Sequence, residues 1–154
     1  MNHKNFTTTF TVDQTPEAVF GAINNVRGWW PGEIEGHTDE LGDEFTYRYA
    51  DVHYSKQKIT VLTPGKRVVW RVLDANLNFT RDQAEWKGTD IAFDISRKGD
   101  KTEVRFTHIG LVPEFECFDK CSNAWASIVN GSLRVLITRD LVPADEGQPN
   151  QKER

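Results

Sequence analysis

The chain has 154 residues, the size of one domain. Lys and Arg total 19 against 23 Asp and Glu, a net charge of -4, which excludes the basic face that nucleic acid demands and the polybasic patch that draws a protein to an anionic membrane. No stretch approaches about 18 uninterrupted apolar residues, so no membrane-spanning helix is expected. Met1–Asn5 runs straight into a strand-like pattern with no apolar leader, which makes the cytoplasm the expected location.

Five Trp, nine Phe and three Tyr are the unusual feature, because rings this large need a core, a pocket or an interface. In chain order, Phe6, Thr8, Phe10 and Val12 share one side of a half-buried strand over Phe6–Val12. Thr15-Pro16-Glu17 is a helix start: Thr15 caps, and Pro16 sits where its missing N–H costs nothing. Val19, Phe20 and Ile23 give a short helix its apolar face. Asn24-Asn25 and Gly28 break it, and a second short helical turn is expected over Trp29-Trp30-Pro31-Gly32.

From Ile34 to Gly110 the pattern is β. Phe45–Tyr49 alternates aromatic with polar, and Lys58–Leu62 is a strand closed by the turn Thr63-Pro64-Gly65-Lys66. Arg67–Leu73 follows with Val68, Trp70 and Val72 on one face. Asp74–Lys87 is less regular, a strand with a loop carrying Phe79 and Trp86. Thr89–Ser96 and Thr102–His108 alternate cleanly around a hairpin at Lys98–Lys101, with Val104, Phe106 and His108 on the apolar side of the second strand. Pro113 separates sheet from helix. From about Glu114 to Leu141 apolar residues recur every three or four positions, among them Cys121, Trp125, Val129, Leu133 and Ile137. Residues 143–154 form a polar tail expected to be disordered, leaving 1–142 as one domain.

This order predicts an α+β fold, a curved antiparallel β-sheet wrapped around a long C-terminal α-helix, with two short helices after the first strand. Only the last helix is long enough to cover a concave sheet face. Inward rings pack around gaps less completely than small aliphatics, so a cavity between sheet and helix is expected.

At this point the chain resembles the START-like, helix-grip superfamily called SRPBCC, and within it the branch named for the activator of the heat-shock protein 90 ATPase. The matching features run from Phe6 to Ile137. They are Thr15-Pro16-Glu17-Ala18-Val19-Phe20, the pair Trp29-Trp30, the Pro64-Gly65-Lys66 turn before Val69-Trp70, the stretch Thr102–His108, and the helix segment from Trp125 to Ile137. The resemblance implies the helix-grip fold and a ligand cavity. It does not by itself imply chaperone activation, for which the eukaryotic co-chaperone also uses a separate N-terminal domain. Relatives elsewhere in the superfamily bind lipids, sterols or plant hormones, or act as polyketide aromatases and cyclases.

The expected cavity wall is Trp30, Tyr47, Tyr49, Trp70, Phe93, Phe106, His108 and Trp125. Each ring also reads as plain core packing. Of the pair Trp29-Trp30, one gates the cavity mouth or both plug the end of the sheet. His108 reads as a polar anchor or proton carrier, or as a core histidine satisfied by a backbone carbonyl. Cys121 lies on the apolar stripe as a small hydrophobe. Cys117, nearer the helix start, is placed where the helix dipole lowers a thiol pKa. Glu114 and Glu116 suit the same dipole. Gly131 is there for close approach of the sheet or to open space for a ligand. His3, His37, His53 and His108 are spread along the chain without ligand spacing, and there is no Ser-His-Asp order, phosphate loop or paired-Cys zinc motif, so no metal, cofactor or catalytic residue is assigned. Three functions follow in order: binding a small hydrophobic or amphipathic molecule, a chaperone or homodimer contact in a stress-response role, and an aromatase/cyclase- or hydrolase-like enzyme using His108 with a tyrosine.

Overall fold

The computed structural model describes residues 5–78, 80–81 and 83–140. Phe79 and the 143–154 tail lie outside the described residues. Seven antiparallel strands form one sheet in the order β1-β7-β6-β5-β4-β3-β2. They are β1 (Phe6–Val12), β2 (Glu33–Gly36), β3 (Glu44–Tyr49), β4 (His53–Thr63), β5 (Arg67–Leu77), β6 (Asp90–Lys98) and β7 (Lys101–Ile109). The register of β4 on β5 shifts at Lys56/Gln57 and again at Ile59/Val61, and such bulges bend the strand pair.

Helix α1 (Pro16–Asn24) begins as its sequence dictates, with the Thr15 hydroxyl accepting from the Ala18 N–H at 3.1 Å and Pro16 in the first turn. The second helical turn lies at Val26–Gly28, ahead of the tryptophans rather than over them. The reason is local. The N–H groups of Trp29 and Trp30 both reach back to the Val26 carbonyl, at 3.1 and 2.9 Å, and the chain is then free to turn both indoles inward.

The last helix begins at Phe118, four residues after Glu114. The carboxylate of Glu85 accepts from the N–H groups of Glu116 (2.8 Å) and Cys117 (3.3 Å), which holds the chain in turns until α2 (Phe118–Ser127) starts. A π-helical stretch, Ile128–Leu133, then leads into α3 (Arg134–Asp140). This widening suits the sequence. Trp125, Val129, Leu133 and Ile137 are spaced by four, and in an α-helix each such step overshoots by about 40°. Turns with more residues take the excess back, so all four stay on one face and are buried. A Cβ on Gly131 would meet nothing within 4 Å, so close approach of the sheet is not what this glycine serves.

The helix lies against the concave face. Trp125 packs on Phe106 of β7 (ring centroids 4.6 Å apart), and Val129, Leu133 and Ile137 join Phe93, Phe106 and Ile23 in one core. No helix among the described residues is long and apolar enough to cross a membrane. Leu133 is fully buried, whereas Val135, two residues on, is 48% exposed. Leu133→Ala is therefore expected to cost about 2–5 kcal/mol in urea unfolding and Val135→Ala no more than about 0.5 kcal/mol. Equal losses would place the wrong face of the helix against the sheet.

Candidate functional site

The five tryptophans, drawn from four separate parts of the chain, form one continuous ring cluster. Trp29 stacks on Trp70 at 6.1 Å and Trp30 on Trp70 at 5.8 Å. Trp125 meets Trp30 at 5.2 Å and Trp86 at 5.8 Å. Each is buried. They largely fill the hollow of the sheet. What remains open is a groove of about 380 Å³ at the end of the sheet where the β3–β4 hairpin faces α2. Its walls are the rings of Trp30, Tyr47, Trp86 and Trp125, with Ala124 and Ile128 on the helix side.

Tyr47 is held there by its neighbours. Its ring stacks on Trp30 at 3.8 Å and 9°. On Gly32 a Cβ would sit 2.5 Å from the Tyr47 ring and 2.6 Å from the Arg48 carbonyl, so only glycine fits. His53 presents its ring edge-on to Tyr47 (5.1 Å) and Trp86 (4.6 Å), and it lines the groove. Its Nε2 lies 3.1 Å from the Ser55 hydroxyl, and Ser55 accepts from the Gln57 side-chain amide.

Of the residues expected from sequence, Trp30, Tyr47, Tyr49 and Trp125 line this groove. Tyr49 shares the parity of Tyr47 but is half exposed at the rim, because β3 ends there and the hairpin turns away through Ala50 at φ 49°. Trp70, Phe93 and Phe106 lie deeper, fully buried among other rings. His108 is enclosed as well, behind Trp86 and Trp125. His53 and Trp86 are wall residues that sequence reasoning did not assign. The signal for His53 was the inward parity it shares with Ser55, Gln57 and Ile59, hidden because three of those four residues are polar.

No family model and no curated protein matches the chain by sequence. Solved structures do match by shape. The Aha1 dimer from Colwellia psychrerythraea superposes with a TM-score of 0.69 at 24% identity, covering 86% of this chain and 96% of that one. PFC0360w, an HSP90 activator from Plasmodium falciparum, gives 0.62 at 16% identity, covering 87% and 96%. CalU16 from Micromonospora echinospora gives 0.61 at 14% identity, covering 88% and 77%. The fold is a helix grip.

Inside this grip His108 has both ring nitrogens engaged. An indole N–H can only donate, so the bond from Trp125 Nε1 at 3.0 Å makes His108 Nδ1 the acceptor. The proton is then on Nε2, which donates to the Thr89 hydroxyl at 2.8 Å, and Thr89 passes its own to the Trp86 carbonyl at 2.5 Å. Burial, with a smaller contribution from His53, pushes the His108 pKa down to about 3. Burial alone takes His53 down to about 4. The Tyr47 phenol is pushed up, by burial and then by Tyr49. Cys117 also departs from expectation. It is buried just before the helix begins, and its hydrogen bond to Cys121, together with burial, raises its pKa instead of lowering it.

Both histidines are neutral when folded, so the sign of their pH effect is set. Below about pH 6.5, the ordinary histidine value, the unfolded chain takes up protons that the folded chain refuses, until the folded values near 4 and 3 are reached. Their stabilising contribution is whole above pH 6.5 and lost as pH falls, by on the order of 1.4 kcal/mol per pH unit for each group. Urea midpoints measured from pH 7.5 to 4.5 are expected to drop accordingly, and His53→Gln to remove one group's share of the slope. A flat profile in the parent protein would contradict this assignment.

Proposed function

We propose that the protein is a binding module for a small, flat, predominantly apolar molecule held in the groove between the β3–β4 hairpin and α2. The observation that carries this reading is the groove itself: about 380 Å³ of open space walled by the rings of Trp30, Tyr47, Trp86 and Trp125 beside a core packed with rings and aliphatic side chains. That volume is at the low end for ligand sites, which run from roughly 300 to 1,000 Å³. It suits a molecule of two or three fused rings better than a two-chain lipid. Rigid rings meeting a rigid ligand lose little rotamer entropy, and offset or edge-on ring contacts add about 0.5–1.5 kcal/mol each beyond burial.

The other functions have less support. An enzyme built on His108 needs that ring open to a substrate, yet it is fully enclosed, with Thr89 and Trp125 as its partners. A docking role needs a contiguous apolar face. The large exposed apolar residues among those described, Leu41, Tyr49, Ile109 and Val135, lie on separate elements.

Ala124 is exposed on α2 and lines the groove without entering the core, so Ala124→Trp fills the site while leaving the fold alone. In calorimetric titration with bicyclic and tricyclic arenes, the parent protein is expected to bind saturably and the variant at least about tenfold more weakly, with unliganded Tm unchanged. Absence of binding by the parent, or equal binding by an intact variant, would count against the groove as the site.

A further inference from the structure

The carbon walls of the groove explain why a flat molecule would enter, but not which one would stay. Selectivity has to come from the polar atoms, and the relay behind His53 bears on one of them. Ser55 and Gln57 are fully buried on β4 beneath His53. The Gln57 amide donates to the Ser55 oxygen. A hydroxyl has one proton of its own, and the acceptor within reach of Ser55 is His53 Nε2, at 3.1 Å. A hydroxyl can accept from two donors, so these distances fit either tautomer; with the Ser55 proton given to Nε2, the ring proton sits on Nδ1. No described residue accepts from Nδ1, and the ring lines the groove.

Tyr47 supplies a second donor. Its hydroxyl makes no hydrogen bond to a described residue, and a phenol is protonated at neutral pH, the more so where burial raises its pKa. Its ring is 5.1 Å from that of His53, and both line the same cavity. Both side chains line the same groove, and His53 also borders the polar cleft of Asp51, Asn76 and Gln83. A ligand that supplies an acceptor in this groove replaces water at the donor, so the bond contributes its modest net value. An anion would gain the same contacts but would have to shed its hydration against ring walls.

We infer that His53 and Tyr47 form a paired donor that selects, among flat apolar molecules, those carrying a neutral hydrogen-bond-accepting oxygen, a ketone or quinone carbonyl above all. This rests on the groove being the binding site, and the test separates the two ideas. The probes are 2-acetylnaphthalene and its near-isostere 2-isopropenylnaphthalene, which differ by a carbonyl oxygen against a methylene, together with 2-naphthoate.

The parent protein is expected to bind the ketone about three- to tenfold more tightly than the alkene, the span of one net hydrogen bond. His53→Phe is expected to reduce that preference while still binding the alkene, and Ser55→Ala, which frees the imidazole to change tautomer, to reduce it in part. Failure of all three probes to bind would remove the site and the inference together. Equal binding of ketone and alkene would overturn the inference and leave the site standing. Tightest binding by 2-naphthoate would also overturn it, assigning selection to charge, for which Lys120 lies on the same groove. Should His53→Phe fail to fold, nitrogen NMR of the parent protein decides on its own. The Nδ1–H tautomer at His53 is expected, and an Nε2–H tautomer would overturn the inference.

Discussion

The indole of Trp125 is the contact on which the architecture turns. Its N–H bonds His108 on β7, one face lies near Trp86 from the β5–β6 connection, and its ring also meets Trp30 and Phe106. One side chain on the helix therefore ties together the sheet, the segment after α1 and the loop that closes the far end. The bond to His108 also fixes a protonation state. Because an indole can only donate, the imidazole beneath it must remain neutral, and Thr89 completes the arrangement by taking the other proton. A buried polar group satisfied on both sides costs little and admits few alternative packings.

The rest of the interior follows from that anchor. With Trp125 seated on Phe106, the hollow of the sheet fills with Trp29, Trp30, Trp70 and Phe93, and little space is left along most of the helix. The rings leave a gap toward the β3–β4 hairpin, where Tyr47 is pinned between Trp30 and Gly32 and the lip turns outward at Ala50. His53 sits at that boundary, with its polar support behind it and the groove in front. The same burial that makes both histidines poor bases leaves one of them locked by the core and the other facing open space.

Much of this was legible in the residues. The alternation Ile91-Phe93-Ile95 and Val104-Phe106-His108 gave the central strands and their inward faces, and the spacing by four from Trp125 to Ile137 gave the buried stripe of the last helix. The π-helical stretch was not legible there, because an α-helix with an ordinary wide apolar stripe accommodates the same spacing. Less could be read where inward positions are not apolar. The first half of β4 points His53, Ser55 and Gln57 into the interior, so a hydrophobic alternation starts the strand only at Lys58 and passes over the groove's polar residue. Trp86 lies in turns with no period at all. Trp70, Phe93 and Phe106 have inward parity, but parity cannot say whether an inward ring meets a cavity or another ring. That depends on Trp29 and Trp30 arriving from a distant part of the chain.

The central claim is that the tryptophan cluster has two sides, one sealed and one facing a ligand. The five indole N–H resonances report on both at once. On titration with a flat arene, the signals of Trp30, Trp86 and Trp125 are predicted to shift saturably, while those of Trp29, bonded to the Ile23 carbonyl, and Trp70, deep in the core, stay in place. A titration that leaves all five unmoved, or that moves Trp29 and Trp70 first, would contradict the account.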